Sequence, residues 1–273
     1  MQQRIITGLI LLALALVSIL ALPTAWFAGL VGLVVALAAY EWQRLVLRDP
    51  LAGAVYVVAV LLAGGVVFLV AFPDAAGWVA GAGVALWLGL LGGLLRFRRR
   101  TPATRPGAWR LALGLLVLPI MWYAIVRVHH APDGVWLLLY GMALVWVADS
   151  LAYFVGRYLG QRRLAPAISP GKTLEGLMGG LAGVALVSAV GALLPIFGTA
   201  SSAMLALWSA LVALLSVAGD LEESRLKREA GVKDSGRLLP GHGGVLDRID
   251  GQVAAMPVWL LALWQMNLLG GPA

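Results

Sequence analysis

The densest chemistry in the sequence lies in GDLEESRLKREAGVKDSGRLLPGHGGVLDRID, Gly219 to Asp250, a run with seven acids and six bases. It holds more than half of the chain's 13 Asp and Glu residues, which sets it apart from a polybasic lipid anchor. If Asp220 to Arg228 is helical, Asp220, Glu223, Ser224 and Lys227 stand at i, i+3, i+4 and i+7 and share a face. Carboxylates and an ammonium are then aimed at one place. Pro240-Gly241-His242-Gly243-Gly244 is too rich in glycine for a helix, and such backbone can turn its N–H groups onto an anion. Asp247 and Asp250 return to helical spacing. Carboxylates that can take a hard cation such as Mg²⁺, beside bases and amides that can hold phosphates, form a set suited to nucleotide chemistry. The competing reading is a solvated loop laced with salt bridges.

A second cluster weighs against that alternative. Asp149 sits inside an apolar run, where an ionisable group costs at least about 2.5 kcal/mol and faces a polar cavity as a rule. It leads into DSLAYFVGRYLGQRRLAPAISPGKTLEG, in which Ser169, Lys172, Thr173 and Glu175 precede the next apolar run. Both clusters fall on the same side of the membrane if the spans are counted as follows.

Hydrophobic residues make up 61% of the 273 residues and charged residues 12%, too little polar surface to coat a soluble globule of this length. Apolar runs of roughly 17 to 25 residues cross a hydrocarbon core of about 30 Å as helices, the form that satisfies the backbone in lipid. Nine are present: Ile5 to Leu22, Pro23 to Tyr40, Leu51 to Phe72, Trp78 to Leu95, Leu111 to Val128, Val135 to Val155, Leu174 to Phe197, Ala200 to Ala218 and Val253 to Leu269. The fold expected is therefore all-α, a polytopic integral membrane protein with about nine transmembrane helices. With nine spans, 19 of the 20 Lys and Arg residues lie on one side and only Arg127 lies opposite. The positive-inside rule makes that side, and the N-terminus, cytoplasmic. The chain divides into N-terminal helices, 1–128, with a basic loop at 96–110, and a C-terminal region, 129–273, with site segments 149–176 and 220–250.

Other features carry narrower readings. Ile5 to Leu22 is longer than the apolar core of a signal peptide and reads as an uncleaved first helix. Arg96, Arg98, Arg99, Arg100, Arg105 and Arg110 set topology or bind anionic head groups, at about 1 kcal/mol per residue near the surface. Gly156/Gly160, Gly176/Gly180 and Gly179/Gly183 have the spacing that lets helices approach closely. His129 and His130 read as structural. No cysteine is present, which excludes disulfides and thiolate chemistry. The net charge of +7 is set by membrane topology and does not call for nucleic acid.

The run Ser224-x-Leu226-Lys227-Arg228, Lys233-Asp234-x-Gly236, Leu239-Pro240-x-His242-Gly243-Gly244-x-x-Asp247-Arg248-x-Asp250 resembles the signature of the phosphatidate cytidylyltransferases, membrane enzymes that make CDP-diacylglycerol. The segment Asp149 to Gly176 resembles the same family. It has Asp149-Ser150-Leu151-Ala152-Tyr153 where the family has Asp-Thr-x-Ala-Tyr, and Ser169-Pro170-Gly171-Lys172-Thr173 where it has Ser-Pro-Lys-Lys-Thr. Gly171 removes one cation from the phosphate-binding set.

The resemblance implies CTP and phosphatidate as substrates, CDP-diacylglycerol and pyrophosphate as products, and a site open to the cytoplasm at a bacterial inner membrane. It implies that Asp220 and Asp247 hold Mg²⁺, with Asp250 and Glu223 as further ligands. Lys227, Arg228 and Lys233 would neutralise phosphates, and Ser224 would contact substrate. His242 with the Gly243 and Gly244 amides would hold the triphosphate or pyrophosphate. Asp149, Ser169, Lys172 and Thr173 would serve the nucleotide or a second cation. Membrane lipids are expected partners, nucleic acid is not, and the glycine faces are compatible with a homodimer. The rival functions are a CTP-dependent lipid-alcohol kinase and a transporter with midplane charges.

Overall fold

Proline and charge mark where helices start and stop in the computed structural model, which describes residues 2–47, 49–71, 75–95, 106–198, 200–239 and 241–270. Arg48, Arg96, Arg98, Arg99, Arg100, Arg105 and Pro240 lie outside the described residues, as does the side chain of Arg4. The helices are α1 (Gln2–Ala21), α2 (Thr24–Val46), α3 (Pro50–Ala71), α4 (Ala76–Leu95), α5 (Trp109–His129), α6 (Gly134–Leu159), α7 (Leu174–Gly191), α8 (Ser202–Glu229) and α9 (Leu246–Gln265). Pro23 separates α1 from α2 because proline has no N–H to continue the ladder. Asp49 opens α3 by accepting the Leu51 and Ala52 amides at 2.8 and 3.2 Å, as an N-terminal cap does.

Among the described residues, the seven helices α2 to α8 are long and apolar enough to cross a membrane. The protein is an all-α integral membrane protein with one small exception. Between α6 and α7, β1 (Arg163–Ala165) and β2 (Ser169–Thr173) pair antiparallel, with Arg163 opposite Thr173 and Ala165 opposite Ser169. The two helices outside the seven differ for different reasons. The described apolar part of α1 is short, Ile6–Ala21. Helix α9 carries Asp247, Arg248, Asp250 and Gln252 in its first two turns, and then runs through the centre of the molecule. It packs against α8, α4, α5, α6 and α2, with Val253 to Leu260 buried throughout. A helix enclosed by protein need not be as apolar as one that faces lipid. Trp259 anchors it by donating Nε1–H to the Leu137 carbonyl at 2.8 Å.

The helix bounds depart from the apolar runs at two places that matter. Helix α7 stops at Gly191, and Pro195–Phe197 form a separate 3₁₀ turn ending at Gly198 with φ 51°, so the run to Phe197 is not one helix. Helix α8 goes on past Ala218 to Glu229, so Asp220, Glu222, Glu223 and Glu229 stand on a helical extension of a span.

Glycines set the closest approaches. A Cβ at Gly176 or Gly180 of α7 would meet the Ala152 or Ala148 carbonyl of α6, and Gly179 and Gly183 receive Val155 and Leu151. Gly156 and Gly160 receive Thr173 at the start of α7, so all three glycine pairs make close contacts within the chain. Gly219 of α8 faces the Asp250 carbonyl and the Ala254 side chain of α9. Gly219→Ala is expected to cost about 1–3 kcal/mol by forcing the two helices apart. Thermal unfolding in detergent measures it, and an unchanged midpoint would show that the crossing tolerates a methyl.

Candidate active site

Where α8 leaves the apolar part of the molecule, its face carries the chemistry. Ser224 donates its hydroxyl to Asp220 Oδ1 at 3.2 Å, one turn away. Lys227 forms an ion pair with Glu223 in the same way, and its Nζ also lies 2.6 Å from Asp247 Oδ1 at the start of α9. Asp220, Glu223, Ser224 and Lys227 therefore do share a face. The close passage at Gly219 is what brings the start of α9 beside them.

Asp247 is saturated. Its Oδ2 accepts the Ser235 amide at 2.9 Å, the Ser235 hydroxyl at 2.9 Å and the Gly244 amide at 2.8 Å. Burial works against its charge, but the Lys227 ammonium and these amides outweigh burial and hold the carboxyl down to about 2. It is therefore an anion at any physiological pH.

The second segment comes to the same place. Lys172, at the end of β2, puts Nζ 2.5 Å from Asp220 Oδ2. Asp149, Asp220 and Asp250 act electrostatically on one another and on Lys172. The Asp149 side chain is exposed on α6, ten residues before the helix ends at Leu159; that is about 15 Å along the axis.

Among the described residues, no three acids or histidines stand together as a ready-made cation cage. The donor chemistry nonetheless suits a hard divalent ion. Asp149, Asp220, Glu223, Asp247 and Asp250 face only Lys172 and Lys227 as near ammonium groups, and those lysines sit on the carboxylate oxygens of Asp220, Glu223 and Asp247. Ammonium groups thus occupy the positions that a metal would contest.

Comparison with known proteins gives the family. The model of the cytidylyltransferase family matches residues 2–266. The chain belongs to that family. It is 41% identical to a phosphatidate cytidylyltransferase of Pseudomonas aeruginosa over 97% of both chains. It is 36% identical to one of Haemophilus influenzae over 94% of this chain and 96% of that one, and 35% identical to one of Synechocystis over 94% of both. As a cytidylyltransferase it is a nucleotidyltransferase.

Other expected site residues of this cytidylyltransferase have different surroundings. Thr173 is buried and caps α7, its Oγ1 accepting the Gly176 amide at 3.0 Å, and it fills the space left by Gly156 and Gly160. Ser169 is half-buried in β2. Arg228 donates Nε–H to the Ile168 carbonyl at 3.3 Å and Nη1–H to the Val232 carbonyl at 3.2 Å, so it ties the hairpin to the end of α8. Lys233 is exposed. His242 lies in a tight turn closed by the Leu239 amide on the Gly243 carbonyl at 2.9 Å, and its ring stands beside Gly8 of α1. Gly241 and Gly243 take φ of 76° and 83°, which the turn requires of them. The Gly244 amide, expected on a phosphate, is used by Asp247.

One residue at this site gives no sign of its role in the sequence. Glu41 of α2 is buried and accepts the Ser235 hydroxyl and the Val245 and Leu246 amides. An acid close to the end of an apolar run looks like an interfacial charge; only the tertiary contact reveals it.

Proposed function

We propose that the protein transfers the cytidylyl group of CTP to phosphatidate, in phospholipid biosynthesis. An oxygen of the lipid phosphate attacks the α-phosphorus of CTP, the bond to the bridging oxygen of the β-phosphate breaks, and pyrophosphate leaves. The observation that carries this reading is that the match to a named phosphatidate cytidylyltransferase runs through 97% of the chain, and so includes both segments that meet at Asp220.

The residues make chemical sense of the reaction. A lipid phosphate with a second pKa near 6 is already ionised at neutral pH, so no general base has to be supplied. The obstacle is the repulsion between two anions. Lys172 and Lys227 stand among the carboxylates, with Arg228 at the end of α8 and Lys233 in the loop that follows, to neutralise phosphate oxygens. Mg²⁺, held by Asp220 and Asp247 with Asp250 and Glu223 beside them, would add positive charge at the reacting phosphates. Asp149, with Lys172, would serve the nucleotide or a second cation. The chain would cross a bacterial inner membrane nine times, the ninth from Val253, with the N-terminus and the site on the cytoplasmic side. CTP would arrive from water and the lipid sideways from the bilayer.

The test is transfer of base-labelled CTP into organic-extractable product by purified protein with Mg²⁺. Label is expected in lipid only when phosphatidate is present. Folded, CTP-binding protein that labels no lipid would end this reading; release of CDP on addition of a lipid alcohol would put the kinase in its place.

A further inference from the structure

The loop that carries Asp247 is fastened from the other end of the sequence. Glu41 lies near the end of α2 and is 6% exposed. Its Oε2 accepts the Leu246 amide at 2.8 Å and the Ser235 hydroxyl at 2.9 Å, and its Oε1 accepts the Val245 amide at 3.1 Å. Val245 and Leu246 open α9, where backbone N–H groups have no partner within the helix and the helix dipole favours a negative charge. Ser235 stands between two acids, its hydroxyl 2.9 Å from Glu41 Oε2 and 2.9 Å from Asp247 Oδ2, so that its one proton is shared between them. A continuous chain of contacts therefore runs from Glu41 through Ser235 to Asp247, Lys227 and Glu223. The room for it is cut by two glycines of the signature, because a Cβ on Gly236 or Gly244 would run into the Glu41 carboxylate. That accounts for both glycines without a phosphate.

We infer that Glu41 is a positioning residue of the active site, which clamps the 235–246 loop onto the start of α9 and so holds Asp247 in register with Lys227. Glu41 touches no reacting group itself. It makes α2, and with it the N-terminal half of the chain, a working part of the catalytic region. The kinetic arm of the test rests on the cytidylyl-transfer reading; the exchange arm does not.

The variant is Glu41→Gln, which keeps the size of the side chain but replaces one acceptor by a donor. Because amides approach both oxygens of Glu41, either orientation of the carboxamide sets N–H against N–H. In the labelled-CTP assay Glu41→Gln is expected to lower kcat roughly 10- to 100-fold, as loss of alignment does, with KM for CTP changed less than about threefold. Ser235→Ala is expected to lower kcat as well, and the double variant to be no worse than Glu41→Gln alone, since both cut one network. Hydrogen exchange at the Val245 and Leu246 amides is expected to quicken. A Glu41→Gln protein with kcat within about twofold of wild type, or one whose loss tracks only the fraction folded, would overturn the inference. Should Glu41→Gln fail to fold, Ser235→Ala decides by the same kcat criterion. Should wild-type protein transfer no label, the reaction has been misread, and exchange alone judges the clamp: faster exchange supports it and unchanged exchange overturns it.

Discussion

Asp247→Asn is expected to cut transfer of label from CTP to lipid by roughly 10²- to 10³-fold or more, the range seen when one pre-placed charged contact to a reacting phosphate or oxyanion is lost. Asparagine is close in shape, yet it cannot replace this carboxylate. Oδ1 meets the Lys227 ammonium and Oδ2 meets the Ser235 amide, the Ser235 hydroxyl and the Gly244 amide. Whichever way the carboxamide turns, its N–H₂ faces a donor, and Lys227 is left with Glu223 as its one near acid. The network is largely buried, with Asp247 5% and Lys227 11% exposed, so about 1–3 kcal/mol of stability should go with it. The molecule should still fold and insert, because the packed centre of α9 lies beyond this turn. The check is kcat measured beside a thermal midpoint in the same detergent. Near-normal turnover in folded protein would remove Asp247 from the machinery, and with it the assignment of Mg²⁺ to that residue.

The reach of the sequence is clearest by residue. Helical spacing alone put Asp220, Glu223, Ser224 and Lys227 on one face, and the structure joins them as i, i+4 pairs. The apolar runs located the helices because lipid imposes length and composition together. They misjudged α7 at Pro195 and α8 after Ala218, since where a helix ends depends on capping and on local contacts as well as on hydropathy. The β1–β2 hairpin was hidden in SPGKT, whose proline and glycine argue against a strand. Thr173, expected near the nucleotide, also caps α7, a role that its place just before an apolar run did not single out. Glu41 was illegible for a more general reason. Its partners lie 194 to 205 residues away, and no local pattern encodes a contact of that range. The same holds for Arg110. In sequence it is the last of a basic loop; in the structure it is a buried ion-pair partner and no surface cation.

Arg110→Met is expected to be among the most destabilising single changes in the chain. The side chain of Arg110 at the start of α5 is fully buried, and that of Glu222 in α8 is 1% exposed. Arg110 Nη1 pairs with Glu222, while Nη2–H and Nε–H donate to Glu229 at 2.7 and 3.2 Å. The guanidinium also lies 4.1 Å from the Trp109 ring centroid, and the Arg110 carbonyl accepts Trp42 Nε1–H at 2.8 Å. Breaking a buried pair by removing one partner costs about 3–5 kcal/mol, because the other charge stays buried without compensation. Arg225 lies beside Glu229 at 2.9 Å but only 4.0 Å from Glu222, so it can relieve the first acid better than the second. Arg110→Met with Glu222→Gln is therefore expected to recover much of the loss, and Glu222→Gln alone to cost less than Arg110→Met. Thermal unfolding of the four proteins in one detergent makes the comparison. An Arg110→Met protein within about 1 kcal/mol of wild type would mean that water or Arg225 already neutralises Glu222. In either case, kcat per folded molecule at low temperature should stay near wild type. The pair fastens α5 to the back of α8, and Asp220, Glu223, Ser224 and Lys227 line its other face.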